Sequence, residues 1–255
     1  MSVDRLPNFS TSLNYCINAK KNLIYIHKKQ SDSNFDTIRQ SNIIKNTIDR
    51  RYRNDGVNCH IVEELPKDSS SWPDATSSAL KIVVIPNVAQ CDKDQQVKMV
   101  KMIKAAQNEG TINLFVGVIQ WDPEEDEKTI IGLRDWLKHR FWIACFAPNE
   151  QEILTIGPAK NLSYREVHCG PMIRRYILDV MVHLRMHRFV DITKGGGIPT
   201  SALNDVIVLS QLVSIDKFEK KFLTPEHVKV ACLWYFPLHI ELLKGSAMDT
   251  TVLYG

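Results

Sequence analysis

Leu80-Lys81-Ile82-Val83-Val84-Ile85-Pro86-Asn87 is the stretch on which the fold turns. The apolar run Ala79–Ile85 reads as a strand, and Pro86 bounds it. Pro86 and Asn87 then stand at its carboxyl end. Neither supplies a carboxylate, so neither coordinates a cation as one or acts as a general base.

Upstream, Phe9–Lys21 places Phe9, Leu13, Tyr15, Ile17 and Ala19 as a helix would. Asn22–His27 reads as a strand. Phe35–Arg50 spaces Phe35, Ile38, Ile43, Ile44 and Ile48 along a helix face. Asn54-Asp55-Gly56 is a turn signal, Val57–Glu63 a strand, and Leu65–Ser78 a loop rich in Ser, Asp and Pro. Downstream, Asp92 or Asp94 caps a helix over Lys93–Asn108. Ile112–Trp121 is a strongly apolar strand, and Asp122–Lys128 an acidic loop. Ile130–Lys138 reads as a helix and Phe141–Phe146 as a final strand. Strands alternating with helices predict βαβ units and a parallel sheet.

Beyond about residue 165 the pattern turns wholly helical. Pro171–Arg188 sets Ile173, Ile177, Val180, Met181 and Leu184 on one side. Thr200–Ser214 is a second helix. Thr224-Pro225-Glu226 opens a third, with Thr224 as N-cap and Pro225 in the first turn. Leu233–Leu243 reads as its amphipathic continuation. The expected organisation is an α/β core over residues 1–165 and a small helical domain over 166–255.

The 255 residues suffice for a sizeable core, and 44% are apolar, which excludes a disordered chain. The net charge of +3 permits nucleic-acid contact without requiring it. Six cysteines lie far apart with no Cys-x-x-Cys pair, so no zinc or redox motif is expected and a reducing compartment is. Met1–Arg5 shows no basic stretch leading into an apolar run, so no secretory signal is expected. No window reaches the roughly 18 apolar residues of a membrane span. The expected location is nuclear or cytoplasmic, with no membrane contact.

The second half carries Arg175-Tyr176-Ile177, the turn Gly195-Gly196-Gly197-Ile198-Pro199-Thr200 and Thr224-Pro225-Glu226-His227-Val228. In this order, after an α/β half, these resemble AAA+ ATPases of the magnesium-chelatase and MoxR-like branch. A closer resemblance rests on Ala19-Lys20-Lys21, Phe115-Val116-Gly117-Val118-Ile119-Gln120-Trp121 and Trp136-Leu137-Lys138-His139-Arg140-Phe141-Trp142. It extends through Arg174 to Arg185, Trp234-Tyr235-Phe236-Pro237 and the tail Ser246–Gly255. These blocks are similar to the fungal maintenance of telomere capping protein 2 family. The resemblance implies a degenerate AAA+-like (P-loop NTPase-like) core followed by a lid, and a role in telomere capping.

An ATPase of that kind needs a glycine-rich phosphate loop after its first strand, because only glycine lets several backbone N–H groups converge on phosphate. Here the loop is His27-Lys28-Lys29-Gln30-Ser31-Asp32-Ser33-Asn34, without glycine. Lys28 and Lys29 read as solvated lysines. The two acids expected after the third strand are Pro86 and Asn87. Gln120 ends the next strand and reads as structural. Arg140 falls where relatives carry an arginine for a neighbour's phosphate. Thr200 replaces the arginine of the lid turn and cannot neutralise phosphate.

Other chemistry is no better supported. His183 and His187 stand at i, i+4 on the expected helix, but Leu184 sits where His-Glu-x-x-His needs its glutamate. Gly195-Gly196-Gly197 follows no strand and reads as a flexible turn. Cys169 reads as an inert thiol. Basic groups recur at Arg50-Arg51-Tyr52-Arg53, Lys138-His139-Arg140, Arg174-Arg175 and Arg185/His187/Arg188, with Tyr52 and Trp142 available for stacking. Separate solvated faces, balanced by Asp122–Glu127, are the favoured account of them.

No catalytic, cofactor-binding or metal residue is assigned, and no cofactor is expected. The leading expectation is a catalytically inactive AAA+-like interaction protein whose partners are proteins, in a hetero-oligomer. Two alternatives stand beside it: a weak ATPase or nucleotide sensor, and a direct DNA-binding protein. Any nucleic-acid affinity is expected to be weak.

Overall fold

The computed structural model describes residues 7–28, 37–52, 56–62, 80–110, 112–121, 133–147, 153, 160–191 and 196–242. They fall in two compact units, Leu6–Asn161 and Leu162–Gly255. The expectations for residues 29–34, Arg53, the Leu65–Ser78 loop, the Asp122–Lys128 loop, Gly195 and the Ser246–Gly255 tail lie outside the described residues.

The first unit is built on five parallel strands. They are β1 (Asn22–Lys28), β2 (Val57–Ile61), β3 (Leu80–Ile85), β4 (Leu114–Trp121) and β5 (Phe141–Ala147), in the order β2-β3-β4-β1-β5. Leu23, Ile24, Ile82, Val83, Val84, Leu114, Phe115 and Val116 are fully buried. Such continuous apolar runs require cover on both faces of the sheet. The helices are α1 (Phe9–Ala19), α2 (Thr37–Arg51), α3 (Lys93–Asn108) and the single turn α4 (Asp135–Lys138). From β1 the chain crosses to β2 in one direction, and every later crossover runs the other way. Right-handed crossovers therefore put α2 on one face and α3 and α4 on the other. Accordingly α2 packs on β2, β3 and β4, α3 packs on α4, and α1 covers β1 and β5.

Local sequence sets the helix ends. Asn8 Oδ1 accepts the Thr11 N–H at 2.8 Å, and Lys20 in a left-handed conformation ends α1. Of the two candidate caps for α3, Asp92 is the cap, and it forms a capping box with Gln95. Asp94 lies inside the first turn. In α4, residues 133 and 134 are not helical, so the described part of Ile130–Lys138 is shorter than its periodicity suggests.

At the amino ends of the central strands one buried side chain joins four elements. Asn22 Nδ2 donates to the Arg140 carbonyl at 2.7 Å. Asn22 Oδ1 accepts from Phe115 N–H at 2.9 Å and from Gln107 Nε2 at 3.0 Å. One side chain thus ties β1 to the starts of β4 and β5 and to the end of α3. It sits where the β1–β5 register shifts: Asn22 pairs with Phe141 but Leu23 pairs with Ile143, leaving Trp142 as the extra residue. Asn113 acts similarly between β3 and β4, accepting Lys81 N–H on Oδ1 at 2.9 Å and donating its own N–H to Lys81 O at 3.1 Å.

The second unit holds α5 (Pro171–Arg185), α6 (Ala202–Lys217) and α7 (Pro225–His239). Its core joins Val206, Leu209, Leu212 and Val213 of α6 to Val228, Ala231, Trp234 and Tyr235 of α7. Three expectations are corrected. Helix α5 stops at Arg185 rather than Arg188, because the returning chain lays Gly196 on its last turn and Arg185 donates to the Ile198 carbonyl at 3.0 Å. Gly196 and Gly197 are not a loose turn. Both have φ of +71°, and a Cβ on Gly197 would lie 2.3 Å from the His239 carbonyl oxygen. Helix α7 runs through Pro237 and ends at His239, short of Leu243.

His227 sits at the start of α7, where its Nδ1 accepts the Thr224 N–H at 3.3 Å. Its ring lies 4.5 Å from that of Phe218. Burial holds its pKa below the usual 6.5, and Lys220 adds to this; Glu226 and a hydrogen bond to the Phe222 backbone oppose it.

Two predictions follow from these contacts. Asn22→Ala leaves the Phe115 N–H and the Arg140 carbonyl buried without their partner. We expect a loss of about 2–6 kcal/mol in urea unfolding, from about 1–3 kcal/mol for each of the two orphaned groups. A loss below about 1 kcal/mol would show the clamp to be dispensable. For His227 the folded pKa is depressed, so its stabilisation is complete above pH 6.5 and falls as pH drops through the folded value. Stability is therefore expected to decrease from pH 7.5 to pH 5.5. His227→Gln keeps an acceptor at the third helical position and removes the titration, so it should flatten that dependence except for the share of His60, whose pKa is also lowered by burial.

Candidate functional site

The direction of winding reverses at β1. Right-handed crossovers put the helices that follow the adjacent strands β1 and β4 on opposite faces, so the carboxyl ends of these two strands are the expected place for a crevice. In open α/β sheets this is where ligands bind. The register brings His27 beside Gln120 and Ala147, and Lys28 beside Trp121. One strand further, β3 ends at Ile85, opposite Gly117.

The described residues at this edge carry no carboxylate. His27 is buried, with its ring 6.2 Å from that of Tyr25. Gln120 is half-buried. Pro86 is buried and ends the β3 pairing, and Asn87 turns the chain in a left-handed conformation with φ of 53°. The turn leads into Val88, which is fully buried, and Val88 Cγ2 would lie 3.0 Å from a Cβ on Gly117. The space beside β4 at the end of β3 is thus filled by an aliphatic side chain. Asn87 Oδ1 is buried with no hydrogen-bond partner among the described residues.

The remaining residues singled out in the sequence do not join this edge. Arg140 precedes β5, so it stands at the amino edge, about 20 Å away along a seven-residue strand. There its carbonyl is held by Asn22. Thr200 is exposed in the second unit.

The His183–His187 pair is undone by the early end of α5. His183 Nδ1 bonds the Asp179 carbonyl within its helix at 2.7 Å, and His187 lies beyond the helix with its ring on Phe189. No group of His, Cys, Asp and Glu able to hold a metal occurs among the described residues. Cys169 is not activated: burial raises its pKa, against a smaller lowering by Arg174. Burial likewise pushes Cys59 and Cys232 up to about 12. Tyr52 and Trp142 are corrected as stacking platforms. They are 2% and 3% exposed, being part of the core.

The sequence reading missed one surface. Only Ile177 and Met181 of α5 are buried, while Met172, Tyr176, Leu178, Val182 and Met186 are exposed. The available signal was apolar residues on both sides of one helix.

The strand order, the crossovers and the following helices define an AAA+-like α/β protein with a helical lid-like unit. Its fold is shared with a crystal structure from Cytophaga hutchinsonii described as a candidate ATPase, with TM-score 0.61 and 10% identity, covering 94% of this chain and 84% of that one. Residues 7–146 match the family described as maintenance of telomere capping protein 2, N-terminal domain. The protein of that name from Zygosaccharomyces rouxii is 43% identical over all of this chain and 86% of the relative. That from Saccharomyces cerevisiae strain RM11-1a is 30% identical over all of this chain and 87% of the relative. The chain belongs to the maintenance of telomere capping protein 2 family.

The environment of Asn87 yields a prediction. Its buried Oδ1 has no donor facing it, so Asn87→Asp introduces a carboxylate without a partner. We expect a loss of about 1–3 kcal/mol at pH 7 and no recovery of melting temperature on adding magnesium. Recovery in millimolar magnesium would reveal a latent cation site at the end of β3.

Proposed function

We propose that this chain is a catalytically inactive AAA+-like interaction protein that serves telomere capping. The role is carried over from the relatives, which bear that function in their names. The inactivity rests above all on the Pro86–Asn87 turn. Phosphoryl transfer needs a metal held by carboxylate and hydroxyl ligands, and a residue to orient the attacking water. Here the β3 end offers a pyrrolidine ring and a side-chain amide, and Val88 packs into the adjoining space. The glycine-free sequence from His27 to Asn34 adds to this, since it cannot bring several N–H groups onto phosphate without strain.

With no chemistry assigned, the fold serves as a presenting surface for protein partners within a hetero-oligomer. Under this reading the chain works in the nucleus. Direct DNA binding is the weaker reading. Base stacking needs exposed aromatic rings, and the two rings read as stacking platforms, Tyr52 and Trp142, are buried.

Calorimetric titration of the full chain with ATP and magnesium tests the proposal. No saturable heat is expected. A dissociation constant tighter than about 100 µM, equivalent to about −5.5 kcal/mol, would overturn it in favour of a nucleotide sensor.

A further inference from the structure

We propose that the outward face of α5 is a docking site for an acidic amphipathic helix of a partner protein. This deepens the interaction reading above and rests on it. Helix α5 and its cap expose Leu178, Val182 and Met186 at i, i+4 and i+8, and Met172 and Tyr176 at i, i+4. Met172 is 79% exposed, Met186 73% and Val182 50%, unlike the buried Ile177 and Met181 on the opposite side. In this 15-residue helix two side chains are buried, Ile173, Val180 and Leu184 are half-buried, and Met172, Tyr176, Leu178 and Val182 face water.

Composition and charge select the occupant. Protein interfaces are rich in Met, Tyr and Arg and poor in Lys and Glu. Residues 171–188 contain three Met, one Tyr and four Arg, and no Lys or Glu. Arg174 and Arg175 are exposed and form no ion pair among the described residues. A second copy packed antiparallel about a two-fold near Asp179 would set Asp179 against its own copy and Arg175 beside His183, which gives the arginines no carboxylate and opposes like charges at the centre. A membrane-surface helix keeps its charges off the apolar face, yet Asp179 and Arg175 lie within the exposed apolar arc of α5. Nucleic acid gains nothing from Met172, Leu178, Val182 and Met186. A partner helix fits both halves. Its apolar residues cover the i, i+4, i+8 row, and its carboxylates meet Arg174 and Arg175. Methionines at both ends allow the row to adapt to that helix.

The test places a photo-reactive benzoylphenylalanine at Val182 in the full chain, in its native cells, with the same residue at Lys101 of α3 as control. Adducts at Val182 are expected to map to one protein segment that has apolar residues at helical spacing flanked by Asp or Glu. Moving the probe to Leu178 and adding Arg174→Glu and Arg175→Glu is expected to lower the yield at least tenfold. Exposed substitutions should leave the melting temperature of the purified chain unchanged. Adducts to this chain itself, to lipid or to nucleic acid would overturn the proposal. So would a protein segment without acidic residues, a yield insensitive to the charge reversal, or a yield no greater than at Lys101. The calorimetric result is independent: absence of ATP binding with failed cross-linking removes only the docking site, and ATP binding with mapped adducts removes only the inactive-ATPase reading.

Discussion

The sheet depends on the amide of Asn22. It sits in the strand from which the chain winds in both directions, and it satisfies a carbonyl from β5, an N–H from β4 and a donor from α3. A buried amide can do this because it carries both acceptors and donors in one plane. An apolar residue of similar size would leave the same groups unpaired inside the protein, at a cost comparable to a large part of a domain's net stability. The register shift beside it explains why such a device is needed. One extra residue in β5 interrupts the ladder just where β5 begins.

The strands were legible because burial on both faces demands unbroken apolar runs. All five were found within a few residues, and Pro86 marked the end of β3 as its missing N–H requires. Helix α3 was legible in full because Asp92 and Gln95 form a local signal that needs no tertiary context. What could not be read was set by contacts distant in sequence. The end of α5 depends on Gly196 folding back onto Arg185, 11 positions away, while Met186–Arg188 by themselves continue a helical pattern. Tyr52 and Trp142 sit beside arginines in sequence and inside the core in space. Periodicity identified one buried side of α5 and gave no measure of how little of the helix that side covers.

The candidate site shows the same division. That Pro86 and Asn87 are not carboxylates is a matter of residue type and follows from the sequence alone. That Asn87 takes a left-handed turn, and that Val88 then presses on Gly117, depends on the path of the backbone. Arg140 was read as an arginine for a neighbour's phosphate, a role that its place in its own sheet does not test. What the backbone path adds is only that Arg140 stands at the amino edge of its own sheet, where Asn22 holds its carbonyl.

Stability and ligand chemistry occupy opposite ends of the strands. The clamps at Asn22 and Asn113 lie at the amino ends, and the crevice lies about 20 Å away at the carboxyl ends. The side-chain clamps that tie the strands together therefore do not depend on which side chains stand at the carboxyl edge. Strain at that edge is local, as in the left-handed backbone of Asn87, whose buried Oδ1 has no partner among the described residues. Evolutionary freedom then lies at the surface, where α5 exposes apolar side chains that folding of its own unit does not need.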